Sequence, residues 1–123
     1  MLEELTRGVE QHVALLNAGV RSGDFEPFLG TFADAAVMRF EGVPAGPYVG
    51  REAIAVAYRS NPPDDTMQVT SMREFAGGVL VGFAWEHGGA GFFILETVDA
   101  MVSRLDVSFL SEADSAWLTG GDS

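Results

Sequence analysis

The sequence predicts an α+β domain in which helices come first and an antiparallel sheet follows. Three observations carry this. Apolar residues recur at three- and four-residue steps in the first half, four strand-like segments crowd the stretch from Met67 to Phe109, and the breaks between those segments are short enough to be hairpins.

From Leu2 to about Gly19 the residues Leu2, Leu5, Val9, Leu16 and Val20 mark an amphipathic helix, with Gly19 as its stop. Asp24 reads as the N-cap of a second, short helix, with Pro27 in its first turns and Phe28, Leu29 and Phe32 on one face. A third helix begins near Gly50-Arg51-Glu52 and runs through Ile54 and Tyr58 until Asn61-Pro62-Pro63 ends it. Ala36 to Glu41 is a short strand, and the glycines and prolines of Gly42 to Pro47 exclude regular structure after it. Strands are then expected at Met67 to Phe75, Val79 to Glu86, Gly91 to Val98 and Met101 to Phe109, joined as a meander. The domain spans 1–118, and the Gly-rich end, 119–123, is expected to be disordered.

Composition narrows the function. The chain has 123 residues with 7 Lys+Arg against 18 Asp+Glu, a net charge of −11, so nucleic acid and anionic membranes are poor partners. All the cations are Arg, scattered along the chain without a run. Cys is absent, which removes disulfides, thiolate metal sites and Cys nucleophiles, and two histidines are too few for a His-rich metal centre. No metal or organic cofactor is expected. With no signal-peptide pattern at Met1-Leu2-Glu3-Glu4 and no apolar run of about 20 residues, a cytoplasmic location is expected. A Walker-type phosphate loop and a G-x-S-x-G elbow are both missing, and Gly88-Gly89-Ala90-Gly91 joins two strands instead of opening a helix.

Phe92-Phe93-Ile94-Leu95 is apolar on both faces, more than a half-solvated antiparallel strand requires. Helices cover one face. The other is expected to be covered by a second copy in a homodimer or by Trp117 and Leu118 folding back.

His12-Val13-Ala14-Leu15-Leu16-Asn17-Ala18-Gly19, then Phe32-Ala33-Asp34-Ala35-Ala36-Val37, then Gly50-Arg51-Glu52-Ala53-Ile54, followed by the meander, closely resembles the nuclear transport factor 2-like superfamily, in particular its ketosteroid isomerase and SnoaL-like polyketide cyclase branches. The resemblance covers nearly the whole chain. It implies a cone-shaped, cystatin-like curved antiparallel sheet (an α+β barrel) closed by three N-terminal helices around an apolar pocket, usually as a dimer. The family includes isomerases, cyclases, dehydratases and non-catalytic binders, so the fold leaves the function open.

The isomerases this sequence resembles use a Tyr and a protonated Asp as oxyanion donors, with a carboxylate base. The Tyr position matches His12, and a supporting pocket Tyr matches Tyr58. The strand that carries the protonated Asp in those enzymes reads Gly91-Phe92-Phe93-Ile94 here, so that donor is missing. Counting forward from Phe32-Ala33-Asp34 puts Phe40 at the base position, whereas counting back from Gly50-Arg51-Glu52 puts Glu41 there. A one-residue bulge before Glu41 aims it inward; an extra residue in the Gly42 to Val49 loop leaves Phe40 inside. We lean to Glu41 as the base, with Phe40 inward as the alternative left open.

His12 sits between Val9 and Leu16 on the apolar stripe of the first helix, where a lone His is otherwise a satisfied core residue. In a dry pocket its imidazole is neutral and can give or take a proton. Tyr58 is its expected hydrogen-bond partner. Phe40, Met72, Phe83, Trp85, Phe92 and Ile94 are the expected ligand-binding walls, suited to a small, flat hydrophobic molecule. Glu86 and Glu96 are expected on the outer face, where Arg39 and Arg73 can pair with them across strands, the alternative being an anion-clamping Arg inside the cone, and His87 is expected in an exposed hairpin. The function expected is cofactor-free proton transfer on a hydrophobic carbonyl compound; the alternatives are a non-catalytic ligand binder or a protein-interaction domain.

Overall fold

The computed structural model describes residues 2–41 and 46–109. The expected disordered end at 119–123, the alternative cover by Trp117 and Leu118, and most of the Gly42 to Pro47 loop lie outside these residues. The elements run α1 (Leu2–Ser22), α2 (Glu26–Leu29), β1 (Phe32–Glu41), β2 (Tyr48–Val49), α3 (Arg51–Ser60), β3 (Met67–Phe75), β4 (Gly78–Trp85), β5 (Ala90–Val98) and β6 (Met101–Phe109).

The apolar face of α1 is built from Val9, His12, Val13 and Leu16, all buried. Gly19 does not stop the helix. It is where Phe25 packs against it: a Cβ there would come within 2.5 Å of the Phe25 ring. The helix ends at Gly23, whose φ of +82° turns the chain out and whose N–H bonds the Gly19 carbonyl at 2.7 Å. Asp24 then accepts the Glu26 N–H at 3.0 Å, a capping bond, although the N-cap position itself is Phe25. Phe32, expected on the face of the second helix, instead opens β1 and is fully buried. Pro62 and Pro63 lie just beyond α3, as expected. At its other end Gly50, with φ +94°, donates to the Ala36 carbonyl at 2.7 Å and hangs α3 from β1.

Six strands form one curved sheet in the order β2-β1-β6-β5-β4-β3. It is not closed into a barrel; β2 and β3 are its edges. The β3 to β6 meander is antiparallel throughout, and Asp99 and Ala100, with φ 54° and 67°, make the two-residue turn between β5 and β6 that matches strand twist. By contrast β1 runs parallel to β6, because the chain makes β2, α3 and the first three meander strands before β6 returns beside it.

Register assigns the faces. Met38 opposite Leu105, Leu105 opposite Leu95, and Leu95 opposite Val79 are all buried, so these positions and every second residue from them form the concave face that packs against α1. Phe28, Phe32, Phe83 and Phe93 fill this core, each ring contributing roughly 1.5–3 kcal/mol on leaving water. Phe92, Ile94 and Leu80 fall on the convex face, where they are half-buried.

Candidate functional site

Between the concave face, α1 and α3 lies a cavity of about 630 Å³, within the roughly 300–1,000 Å³ of small-molecule sites. Met38, Phe40, Trp85, Phe93, Val107 and Phe109 supply its apolar wall. Asn61, Pro62, Pro63 and Asp64, which follow α3, form its rim, with Asn61, Pro62 and Asp64 exposed.

His12 lines this cavity and is 4% exposed. Its ring is caged by aromatic neighbours, with Phe28 at 4.9 Å, Phe93 at 5.5 Å and Phe32 at 6.1 Å between centroids. None of these offers a hydrogen bond in the ring plane, and Nδ1 is buried without a partner among the described residues. Burial pulls the imidazolium pKa down to about 4, so His12 is neutral at pH 7. A neutral imidazole presents one N–H donor and one lone pair. The imidazole as a whole forms part of the cavity lining, where it can meet the polar group of a bound molecule.

Tyr58 also lines the cavity, packed against Phe25 at 5.7 Å and Phe28 at 5.2 Å, and burial pushes its phenol above the ordinary range. The hydrogen bond expected between Tyr58 and His12 is not formed among the described residues. The ring of Phe28 contacts both instead, so the two polar side chains are kept apart by an apolar one.

For the base position, the structure places Phe40 in the cavity wall and Glu41 on the exposed side, opposite to the sequence reading. The physical reason is register. Phe40 sits opposite Val107, which faces inward, so Glu41 opposite Ser108 must face outward; the irregularity of β1 falls between Phe32 and Val37 and not before Glu41. Of the other expected wall residues, Trp85 lines the cavity. Phe83 shares its face but is covered by Phe93 and Phe109, with centroids at 6.0 and 6.5 Å, and belongs to the core. Met72 packs against that core away from the cavity lining. Phe92 and Ile94 stand on the convex face, and Phe93 takes the inward place between them. In an unbroken apolar run the parity of the strand is invisible; only pairing with Val81 and Val107 reveals it.

The rim is the part that sequence reasoning missed. Asn61-Pro62-Pro63-Asp64 signals a helix stop, yet the same residues overhang the cavity. The rim is held from behind: Asp65 accepts the His87 backbone N–H at 3.0 Å and contacts its Nδ1 at 2.8 Å, and Glu86 N–H bonds the Thr66 carbonyl at 2.9 Å. Burial acts to raise the Asp65 carboxyl, but the bonds from His87 and Thr66 outweigh it and leave it below the usual range; His87 is raised, chiefly by its bond to Asp65. Asn17 adds a further tie, its side chain pairing with both backbone groups of Met67 at 2.9 and 2.8 Å, which fastens α1 to the edge strand β3. On the convex face Glu96 pairs with Arg104 at 2.8 Å, not with Arg39 or Arg73.

Among the described residues no three His, Asp or Glu side chains are grouped to hold a metal, and no helix is long and apolar enough to cross a membrane.

An open curved sheet whose concave face, with the helices packed on it, encloses an apolar cavity is the architecture of NTF-2-like and SnoaL-like proteins, and the chain has that fold. A SnoaL-like protein of unknown function from Burkholderia thailandensis superposes with a TM-score of 0.75 at 15% identity, over 90% of this chain and 98% of the other. An NTF-2-like protein of unknown function from Burkholderia xenovorans gives 0.69 at 15% identity, over 94% and 93%. A de novo designed protein with a curved β-sheet gives 0.69 at 15% identity, over 97% and 95%. No protein-family model and no curated protein matches the sequence. That a designed chain shares this architecture shows that the likeness speaks for the fold and that function must be argued from the cavity.

Proposed function

We propose that this chain binds a small, largely apolar molecule in the cavity and holds the molecule's polar group against the neutral imidazole of His12. The observation that carries the reading is a 630 Å³ apolar space lined by a buried imidazole whose Nδ1 has no hydrogen-bond partner among the described residues. A carbonyl or hydroxyl group would hydrogen-bond the imidazole where it lines the cavity, and the aromatic wall would take up the rest of the ligand. Tyr58 is proposed as a second polar contact reached separately from His12. Titration calorimetry with hydrophobic ketones and alcohols tests this: saturable binding that falls at least tenfold in His12→Phe supports it, and equal binding in that variant removes His12 from the site.

The proton-transfer reading rests on the same imidazole. With Glu41 exposed, His12 is the acid/base group that a buried substrate would meet, and a single weakly basic imidazole favours binding over isomerase-like chemistry. Exchange of the protons next to a bound ketone's carbonyl into D₂O, followed by NMR, separates the two. Exchange in the wild type that vanishes in His12→Phe marks an enzyme; binding without exchange marks a binder.

A homodimer through the convex face is proposed on the half-buried stripe Leu80, Phe92 and Ile94, flanked by both signs of charge at Arg73, Arg104, Glu96 and Asp106. Mixed charge beside an apolar stripe suits a self-complementary, two-fold contact. Sedimentation velocity is expected to give a dimer that Ile94→Arg converts to monomer; a wild-type monomer withdraws the proposal.

A further inference from the structure

Among the described residues the cavity lining carries no cation. All seven Lys+Arg of the chain are Arg, and each is accounted for elsewhere. Arg39, Arg73 and Arg104 stand on the convex face, Arg51 and Arg59 pair with Asp34 and Glu26, and Arg7 and Arg21 are exposed on α1. Among the described residues the lining carries one carboxylate, Asp64, exposed at the rim, and neutral polar groups further in, His12 and Tyr58.

Resting on the ligand-pocket reading above, we propose that the cavity selects an uncharged or cationic amphiphile over an anion of the same shape, and that Asp64 sets the preference of the rim for a cationic head. A ligand's polar end has two places to go, the interior beside His12 and the rim beside Asp64. Against His12 a charged head would lose its hydration to a neutral imidazole among aromatic rings, whose faces offset part of that cost for a cation and none of it for an anion. At the rim a head keeps much of its water and meets the Asp64 carboxylate, which attracts a cation and repels an anion. An anion is therefore disfavoured in both orientations, a cation in one, and a neutral molecule in neither. The chain's net charge of −11 adds to the same preference. Because Asp64 is exposed, its effect is modest and screened by salt, about two- to fivefold between matched ligands at low ionic strength.

The test uses three naphthalenes of one shape, bearing an aminomethyl, a hydroxymethyl or a carboxylate group, titrated calorimetrically into the whole protein at pH 7.5 and about 20 mM salt. The wild type is expected to bind the amine two- to fivefold more tightly than the alcohol and the carboxylate most weakly. In Asp64→Asn the amine-to-alcohol ratio is expected to fall to near one, and Asp64→Lys is expected to reverse the order of amine and carboxylate. Raising the salt to about 0.5 M is expected to compress the wild-type ratios. A carboxylate bound as tightly as the amine by the wild type, or a ratio that Asp64→Asn and Asp64→Lys both leave unchanged, overturns the inference while leaving the pocket intact. If none of the three binds, the ligand-pocket reading itself fails and takes this inference with it.

Discussion

The imidazole of His12 lies 4.9 Å from the ring of Phe28, tilted by 53°, so that one of the two histidines of the chain is boxed in by aromatics with no hydrogen bond at Nδ1 among the described residues. A buried donor or acceptor without a partner costs about 1–3 kcal/mol relative to an apolar group of the same shape. The fold carries that cost, as sites shaped for ligands commonly do.

His12→Phe is accordingly expected to be as stable as the wild type or up to about 2 kcal/mol more stable in urea, while losing the ligand. A variant destabilised by more than about 2 kcal/mol would mean that His12 is a structural residue whose partner is intramolecular.

Stability is expected to fall on acidification because of the same residue. The folded pKa of His12, about 4, lies below its unfolded value, so between pH 6.5 and 4 the unfolded chain binds the proton and the folded one does not. Its share of the loss reaches roughly 3 kcal/mol near pH 4. Urea midpoints from pH 8 to 4 should decline in the wild type and much less steeply in His12→Phe; parallel curves would contradict the buried neutral state.

His87 moves the other way. Its pKa is raised by Asp65, so the bond it makes is fully present below its ordinary value near 6.5 and is lost as pH rises through the raised folded value; Asp65, depressed, contributes down to the acid range. NMR titration should give two separate histidine curves, His87 above 6.5 and His12 far below it, and Asp65→Asn should bring only the His87 value down. Unchanged titration of His87 in that variant would remove the tie behind the cavity rim.

Two glycines separate close packing from open space. A Cβ at Gly91 would overlap the Ser108 carbonyl of β6 and come within 2.8 Å of the Phe83 ring, whereas nothing lies within 4 Å of a Cβ at Gly8 on α1. Gly91→Ala is expected to cost about 1–3 kcal/mol and Gly8→Ala to add about 0.5–1 kcal/mol. Chemical denaturation measures both, and a harmless Gly91→Ala would place the β5 to β6 contact elsewhere.

Much of the architecture was legible in local signals. The helical period of α1, the proline stop after α3 and the glycine-bounded hairpins each depend on residues close together in sequence, and each element formed where those signals stood. The departures came where contact between distant segments overrides a local cue. Gly19 looks like a stop but accommodates Phe25, and Phe32 looks helical but pairs into β1 through β6.

At the site, the position of His12 on the buried stripe follows from spacing alone, as does the shared face of Phe83 and Trp85. Which residue of each adjacent pair turns inward does not. The choice between Phe40 and Glu41, and between Phe92 and Phe93, was decided by pairing with Val107, because side chains alternate across a strand and only a partner of known face sets the phase. The rim from Asn61 to Asp64 likewise exists only once β3 and β4 bring Asp65 against His87. Element type is a property of short sequence, set by local sterics and periodicity; the inward or outward phase of a strand and the enclosure of a cavity belong to the tertiary structure, because they are relations between strands that the chain brings together only by folding.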